Sequence, residues 1–230
     1  MQINILHTAT FANVLYHDDR GSVCFVGVKE AAGQFRETKC AKCQIVDAVA
    51  RAKGEHAYIS VNSFFSPWLP RSTDNLRQVN AIFVDMDCHA DDPTRTRETI
   101  KEETAYLIRA IEEGWMPRPT IIVDSGRGLH LYYIYERSIP ARLKGGCAND
   151  KGLAVHADLT RKIYARVSSV LDGRALTVDC HCTDLSRYAR VPGTVNPHTG
   201  TFCTLIRWNG PFYSFDSLYD ALRRGESDTH

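Results

Sequence analysis

At 230 residues the chain is long enough for one sizeable α/β domain, or one domain with a small appended module. Its hydrophobic fraction of 43% and charged fraction of 24% are ordinary for a globular protein, and no run approaches the roughly 18 apolar residues that span a bilayer, so no membrane partner is expected. The net charge of +1 gives no overall electrostatic footprint for nucleic acid, although a site that gathers carboxylates beside arginines also sums near zero.

The first ten residues lack the basic start and apolar block of a secretory signal, and eight cysteines without such a signal read as reduced thiols in the cytoplasm. Residues 22–29 read as a strand, and 43–53 as a helix with Ile45, Val46 and Val49 on one side. Residues 56–61 are β-prone. The stretch 62–79 is irregular but aromatic, and its Phe64, Phe65 and Trp68 argue for order. Residues 80–87 form a strand whose run Ala81-Ile82-Phe83-Val84 suggests burial on both faces. Asp92-Pro93 starts a helix carrying Ile100, Thr104, Leu107 and Ile111, and Gly114 closes it. Strands at 120–124 and 129–135 flank the hairpin turn Ser125-Gly126-Arg127-Gly128. A helix from about residue 152 places His156, Leu159, Ile163, Val167 and Val170 on its apolar face, and Asp172-Gly173 ends it. Strands near 176–179 and 202–208 precede a last helix capped by Ser214. The interleaving of strands and helices predicts an α/β or α+β fold layered around a mixed sheet.

Three motifs carry chemistry. Asp85-Met86-Asp87 closes the apolar strand, and side-chain alternation points both carboxylates to one face. Adjacent, partly buried carboxylates repel, and a hard divalent ion with oxygen ligands, Mg²⁺ or Mn²⁺, removes that penalty. Taken alone, the pair reads equally as a solvated strand end. In Ser125-Gly126-Arg127-Gly128-Leu129-His130 the glycines let backbone N–H groups approach a phosphate, and Arg127 adds fixed positive charge. The plain alternative is a tight hairpin. The third string begins at Asp179, another acid at a strand end, and continues through Arg187 and Arg190 to Pro192-Gly193-Thr194-Val195-Asn196. Its arginines stand three apart, the spacing of one side of a helical turn, from which they could grip a triphosphate.

The order of these motifs resembles the archaeo-eukaryotic primase superfamily, and more narrowly the primases of plasmids and other mobile elements. The likeness covers roughly residues 56–200, with Asn62, Arg71 and Asn75 fitting the stretch before the paired aspartates. It implies one primase-polymerase catalytic domain over 1–230: an N-terminal α/β unit to about residue 78, an RRM-like palm over about 79–213, and a terminal helix and tail over 214–230. It further implies Asp85, Asp87 and Asp179 as catalytic metal ligands for two ions. His130 would contact the nucleotide phosphates, with Ser125, Arg127, Gly128, Arg187 and Arg190 in the same pocket. Asn62, Arg71, Asn75 and Asn196 are weaker candidates for substrate or template contacts. Gly128 departs from the family pattern, in which a small hydroxyl residue stands two before the histidine; its N–H or the Ser125 hydroxyl could serve instead.

The resemblance implies a primase, a DNA-templated nucleotidyltransferase working by two-metal phosphoryl transfer on single-stranded DNA with NTP or dNTP. A helicase or helical primase module outside this chain is a further expected partner. A gap-filling polymerase of the same superfamily is the main alternative. A rolling-circle nuclease would want a His-x-His strand, which the sequence lacks, and a non-catalytic binding module would not place three acids at strand ends. Cys40-x-x-Cys43 and Cys180-x-Cys182, near Cys88, His89 and His181, suggest zinc, but no four converging ligands are evident, and inert cysteines are expected. Phe64, Phe65 and Trp68 could stack on template bases; anchoring of the loop to the core is the favoured reading.

Overall fold

The computed structural model describes residues 3–19, 21–29, 33–51, 56–88 and 93–227. Helix α1 (Ile5–Leu15) precedes strands β1 (Cys24–Lys29) and β2 (Phe35–Cys40), helix α2 (Ile45–Arg51) and strand β3 (Ala57–Ser60). The short β4 (Ser63–Phe64) leads to the long β5 (Leu76–Cys88) and helix α3 (Pro93–Glu112). The hairpin of β6 (Ile121–Asp124) and β7 (Gly128–Pro140) follows, then helix α4 (Asp150–Val170). The last part holds β8 (Leu176–Val178), β9 (Tyr188–Arg190), β10 (Val195–Asn196), β11 (Thr201–Phe202), β12 (Thr204–Arg207) and helix α5 (Phe215–Ser227).

The larger sheet is ordered β12-β6-β7-β5. Along the outer edge of β5 lies β4 at its beginning and β8 at its end. Its ladders are all antiparallel, so the sheet is not the mixed one expected. Within it, β5-α3-β6-β7-α4-β8 pairs in the order β8-β5-β7-β6, the split β-α-β arrangement of an RRM-like palm. A smaller antiparallel sheet, β2-β1-β3-β9, stands apart. Chain is exchanged between the layers, because β4 joins the palm and β9 returns to pair with β3.

Strand alternation explains the layering. Ile82, Val84 and Met86 of β5 pack with Leu107 and Ile111 of α3, Leu159 and Ile163 of α4, and Leu218 of α5. Ala81 and Phe83 point the other way, joining Tyr132 and Ile134 of β7 against Phe11 and Leu15 of α1 and Ile59 of β3. Each fully buried aliphatic or aromatic side chain contributes about 1.5–3 kcal/mol, so neither face can be turned to water. Asp85 and Asp87 share the parity of Ala81 and Phe83, and His130 that of Tyr132 and Ile134. The chemistry therefore collects on the face toward the smaller sheet, where the strand ends run past the core.

Sequence expectation misses α1, whose apolar residues form no single stripe, since Ile5 and Leu6 are exposed while Thr8 is buried, and β2, an edge strand that is mostly exposed. Asp92, His89 and residues 52 and 53 lie outside the described residues.

Candidate active site

The β5–β7 register sets Asp85 opposite His130 and Asp87 opposite Gly128. On the other edge of β5, the Asp179 backbone N–H donates to the Asp85 carbonyl at 2.9 Å, one residue beyond β8. Three motifs distant in sequence thus meet across one central strand.

The turn 125–128 is built tightly. The Asp124 carboxylate accepts from the Gly126 N–H at 2.7 Å and pairs with Arg97 at 2.7 Å. Gly126 has φ of +87°, and a Cβ there would press on the Asn196 Cβ and the Thr201 hydroxyl. Asn196 donates to the Ser125 carbonyl at 2.9 Å, so it braces this turn. The buried Ser125 hydroxyl accepts from the Gly128 N–H and lies 3.1 Å from the Gly128 carbonyl, so both groups considered for phosphate contact are already joined to each other. A Cβ at Gly128 would overlap the Met86 carbonyl oxygen. The expected hydroxyl residue is absent because the backbones approach too closely for any side chain. The Arg127 side chain is exposed.

At the end of β5, potential ligand atoms of Asp85, Asp179 and Cys182 all lie within 4.8 Å of one another. Asp87 is not in this group. Burial would raise the Asp85 carboxyl, but His130, with Nε2 3.3 Å from Oδ1, and then Arg187 hold it below its ordinary value. The Cys182 S–H bond and the His181 backbone N–H lower Asp179. Burial first, then Asp179 and Asp85, push the Cys182 thiol up. Arg187 Nη2 touches Cys182 Sγ and lies 3.5 Å from Asp179 Oδ2.

Arg187 and Arg190 are not on a helical turn. Arg190 belongs to β9 and Arg187 precedes it, so positions three apart face opposite ways. Arg187 goes to the carboxylates. Arg190 lies over the Tyr58 ring, 5.0 Å from its centroid, and its buried Nη1 has no hydrogen-bond partner among the described residues. Arg190 lines a polar cavity of about 230 Å³ with Asp85, Asp87, Arg127 and His130. Tyr58, Ser125, Tyr188, Ala189, Asn196 and His198 complete its walls. A larger apolar cavity of about 690 Å³ lies between α4 and the 180–185 loop, but no carboxylate lines it, so the smaller one is the candidate site.

No protein-family model matches the chain. In sequence it is 25% identical over 152 residues to a replication protein of Clostridium perfringens, covering 66% of this chain and 32% of that protein. It is 30% identical over 125 residues to protein RepS of Streptococcus pyogenes, covering 54% of this chain and 22% of that one. The chain thus spans less than two thirds of these curated relatives. In structure it matches the AEP domain of the cyanophage S-2L primase-polymerase with a TM-score of 0.60 at 17% identity, over 94% of this chain and 96% of that one. The catalytic domain of primase RepB', solved in complex with initiator DNA, gives 0.50 at 11% identity, over 97% of this chain and 100% of that one. The chain has the AEP primase-polymerase fold.

Not every residue singled out from sequence reaches the cavity of this primase-polymerase fold. Asn62 is buried, donating to the Leu185 carbonyl at 2.9 Å and accepting from the Asn80 N–H at 2.9 Å. Asn75 is buried too, and its side chain bonds Ser66, Leu69 and Pro70, fixing the 66–70 loop. Arg71 stacks 3.9 Å from the Tyr188 ring centroid and pairs with Glu37 at 3.3 Å, one layer behind the cavity wall. Sequence reasoning missed Tyr58, Tyr188 and His198; Tyr188 and His198 stand two residues from Arg190 and Asn196, whereas Tyr58 meets Arg190 only through the β3–β9 pairing. Cys40, Cys43 and Cys88 form no metal cluster among the described residues. The aromatic loop divides, for Phe64 is fully buried whereas Trp68 is 89% exposed.

Proposed function

We propose that this chain is the catalytic core of a DNA-templated nucleotidyltransferase that synthesises primers, in the replication of a plasmid or other mobile element, and that 1–230 act as one catalytic domain. The observation that carries this is the convergence of Asp85, Asp87, His130 and Arg190 on one cavity, with a buried guanidinium nitrogen that has no partner among the described residues. A buried donor of that kind asks for an anion, and forked charge-assisted hydrogen bonds suit a phosphate. The replication proteins among its relatives and the shared fold support the same reading.

The residues fit divalent cations, since the Asp85 and Asp179 oxygens converge and Asp87 lies one alternation along the same strand. Asp85, Asp87 and Asp179 would hold two Mg²⁺ or Mn²⁺ ions, which when bound polarise the phosphate and lower the pKa of the attacking 3′-hydroxyl. Arg190, Arg127 and His130 bind and orient the triphosphate of an incoming NTP or dNTP, with His198 on the same wall. Asn196, Ser125 and Gly128 keep the turn in place beneath it. Arg187 positions Asp179. Trp68, on a loop pinned by Asn75, and Arg77, 5.5 Å from the Phe65 ring, offer a stacking surface for single-stranded template. A helicase or helical primase module is the partner we place beside this core.

The test is primer synthesis on single-stranded DNA with each nucleotide class, beside extension of an annealed primer. Labelled product that depends on template and divalent ion supports the proposal. Extension without initiation narrows it to a gap-filling polymerase.

A further inference from the structure

Cys182 is the described thiol that reaches the acidic centre. It is 3% exposed, its Sγ lies 2.9 Å from Asp179 Oδ2 and 3.7 Å from Asp85 Oδ2, and the three ligand atoms fall within one cation's reach. Its place is held by the backbone. The Cys182 N–H donates to the Asp179 carbonyl at 3.2 Å, closing a turn, and the Tyr164 hydroxyl bridges the carbonyls of Cys182, at 3.2 Å, and Phe83, at 2.8 Å. That bridge ties the thiol-bearing loop to β5, two residues before Asp85. Its neighbour Cys180 is exposed and turns back toward the Val178 carbonyl. The thiol is therefore aimed into the centre by a built turn.

We propose that Cys182 is a ligand of the cation that Asp85 and Asp179 hold, giving the centre a mixed oxygen–sulfur donor set. Such a set takes borderline and soft ions, Co²⁺ or Cd²⁺, more tightly relative to Mg²⁺ than three carboxylates would. When the sulfur–metal bond forms, the S–H bond breaks and its proton leaves to the buffer, since a coordinating thiol is deprotonated. The inference rests on the cation centre of the proposed function and adds a ligand and a metal preference to it.

The probe is Cd²⁺, titrated into the full chain with the exposed Cys43, Cys147 and Cys180 changed to Ser, and read by near-ultraviolet thiolate-to-metal charge-transfer absorption. The expected result is a saturable band that Cys182→Ser abolishes and Asp179→Asn weakens. In parallel, Co²⁺ and Mg²⁺ affinities are measured by the shift in melting temperature. Cys182→Ser should lower the Co²⁺ affinity relative to that for Mg²⁺ by about 10–100-fold, the range that even changes outside the ligand set produce. Should Cys182→Ser fail to fold, Cys182→Ala serves, and the Asp179→Asn titration gives an independent reading. A band that survives loss of Cys182 overturns the inference, as does Cd²⁺ that raises the melting temperature without a band, or Cd²⁺ that does neither. The two proposals fail separately. Primer synthesis without a band sinks only the sulfur ligand, whereas a band without synthesis under any ion leaves the cation centre and sinks the polymerase.

Discussion

His130 Nε2 lies 3.3 Å from Asp85 Oδ1, directly across the β5–β7 ladder, so the histidine proposed for phosphate and the acid proposed for metal hold one another. Arg190 lines the same cavity, and its buried Nη1 has no hydrogen-bond partner among the described residues. His130→Ala and Arg190→Ala should each weaken nucleotide binding by roughly 10–100-fold, the loss of a charge-assisted hydrogen bond of about 1.5–3 kcal/mol. Equilibrium binding of a labelled nucleotide checks this. Unchanged affinity in both folded variants would remove the phosphate role.

Gly128→Ser restores the hydroxyl that relatives of this fold are expected to carry, yet here it meets the Met86 carbonyl. The substitution should destabilise the domain by about 1–3 kcal/mol or more through overpacking against backbone. Denaturant unfolding measures it. A neutral or stabilising result would show that the β5–β7 spacing is looser at this end than the register indicates.

Trp68 is exposed on a loop that Asn75 fixes through its side-chain amide. Trp68→Ala should leave the melting temperature in place and weaken single-stranded DNA binding by about 1–3 kcal/mol, the worth of one stacked base. Fluorescence anisotropy with a labelled oligonucleotide tests it. Equal affinities would assign the loop another role.

Burial pulls the His156 pKa down from 6.5 to about 4, and its Nδ1 shares a hydrogen bond of 2.9 Å with the Tyr135 hydroxyl. The folded state thus favours the neutral ring. That stability is fully present above pH 6.5 and is lost as pH falls from 6.5 toward about 4, by about 3 kcal/mol in all. His156→Gln keeps an acceptor without the titration, and its stability should be flatter over this window. Identical slopes in both proteins from urea unfolding at several pH values would contradict the assignment.

How much was legible in sequence depended on whether a residue's partner was local. The apolar run of β5 and the alternation of Asp85 and Asp87 could be read directly, as could the turn to His130 and the apolar face of α4. Arg187 and Arg190 were read at helical spacing, because a three-residue interval carries no information about the ladder that β9 joins. The pairing of Tyr58 with Arg190 across that ladder is what turns the two arginines apart. The roles of Asn62, Asn75 and Asn196 were equally hidden, for a buried amide that braces a loop has the same letter as one that binds a substrate. Cys182 looked inert from its type; its distance from Asp179 depends on a turn and on Tyr164, which is remote in the chain.

The central claim is that the acids meeting at β5 perform nucleotidyl transfer. The most direct measurement is template-dependent primer synthesis by the wild-type chain and by Asp85→Asn, Asp87→Asn and Asp179→Asn, each shown to be folded. We expect wild-type product with Mg²⁺ or Mn²⁺ and a loss of at least about 10²–10³-fold in each variant, the scale of removing one preorganised electrostatic group. Wild-type yield from the folded aspartate variants, or no product from the wild-type chain with any ion or nucleotide class, would contradict it.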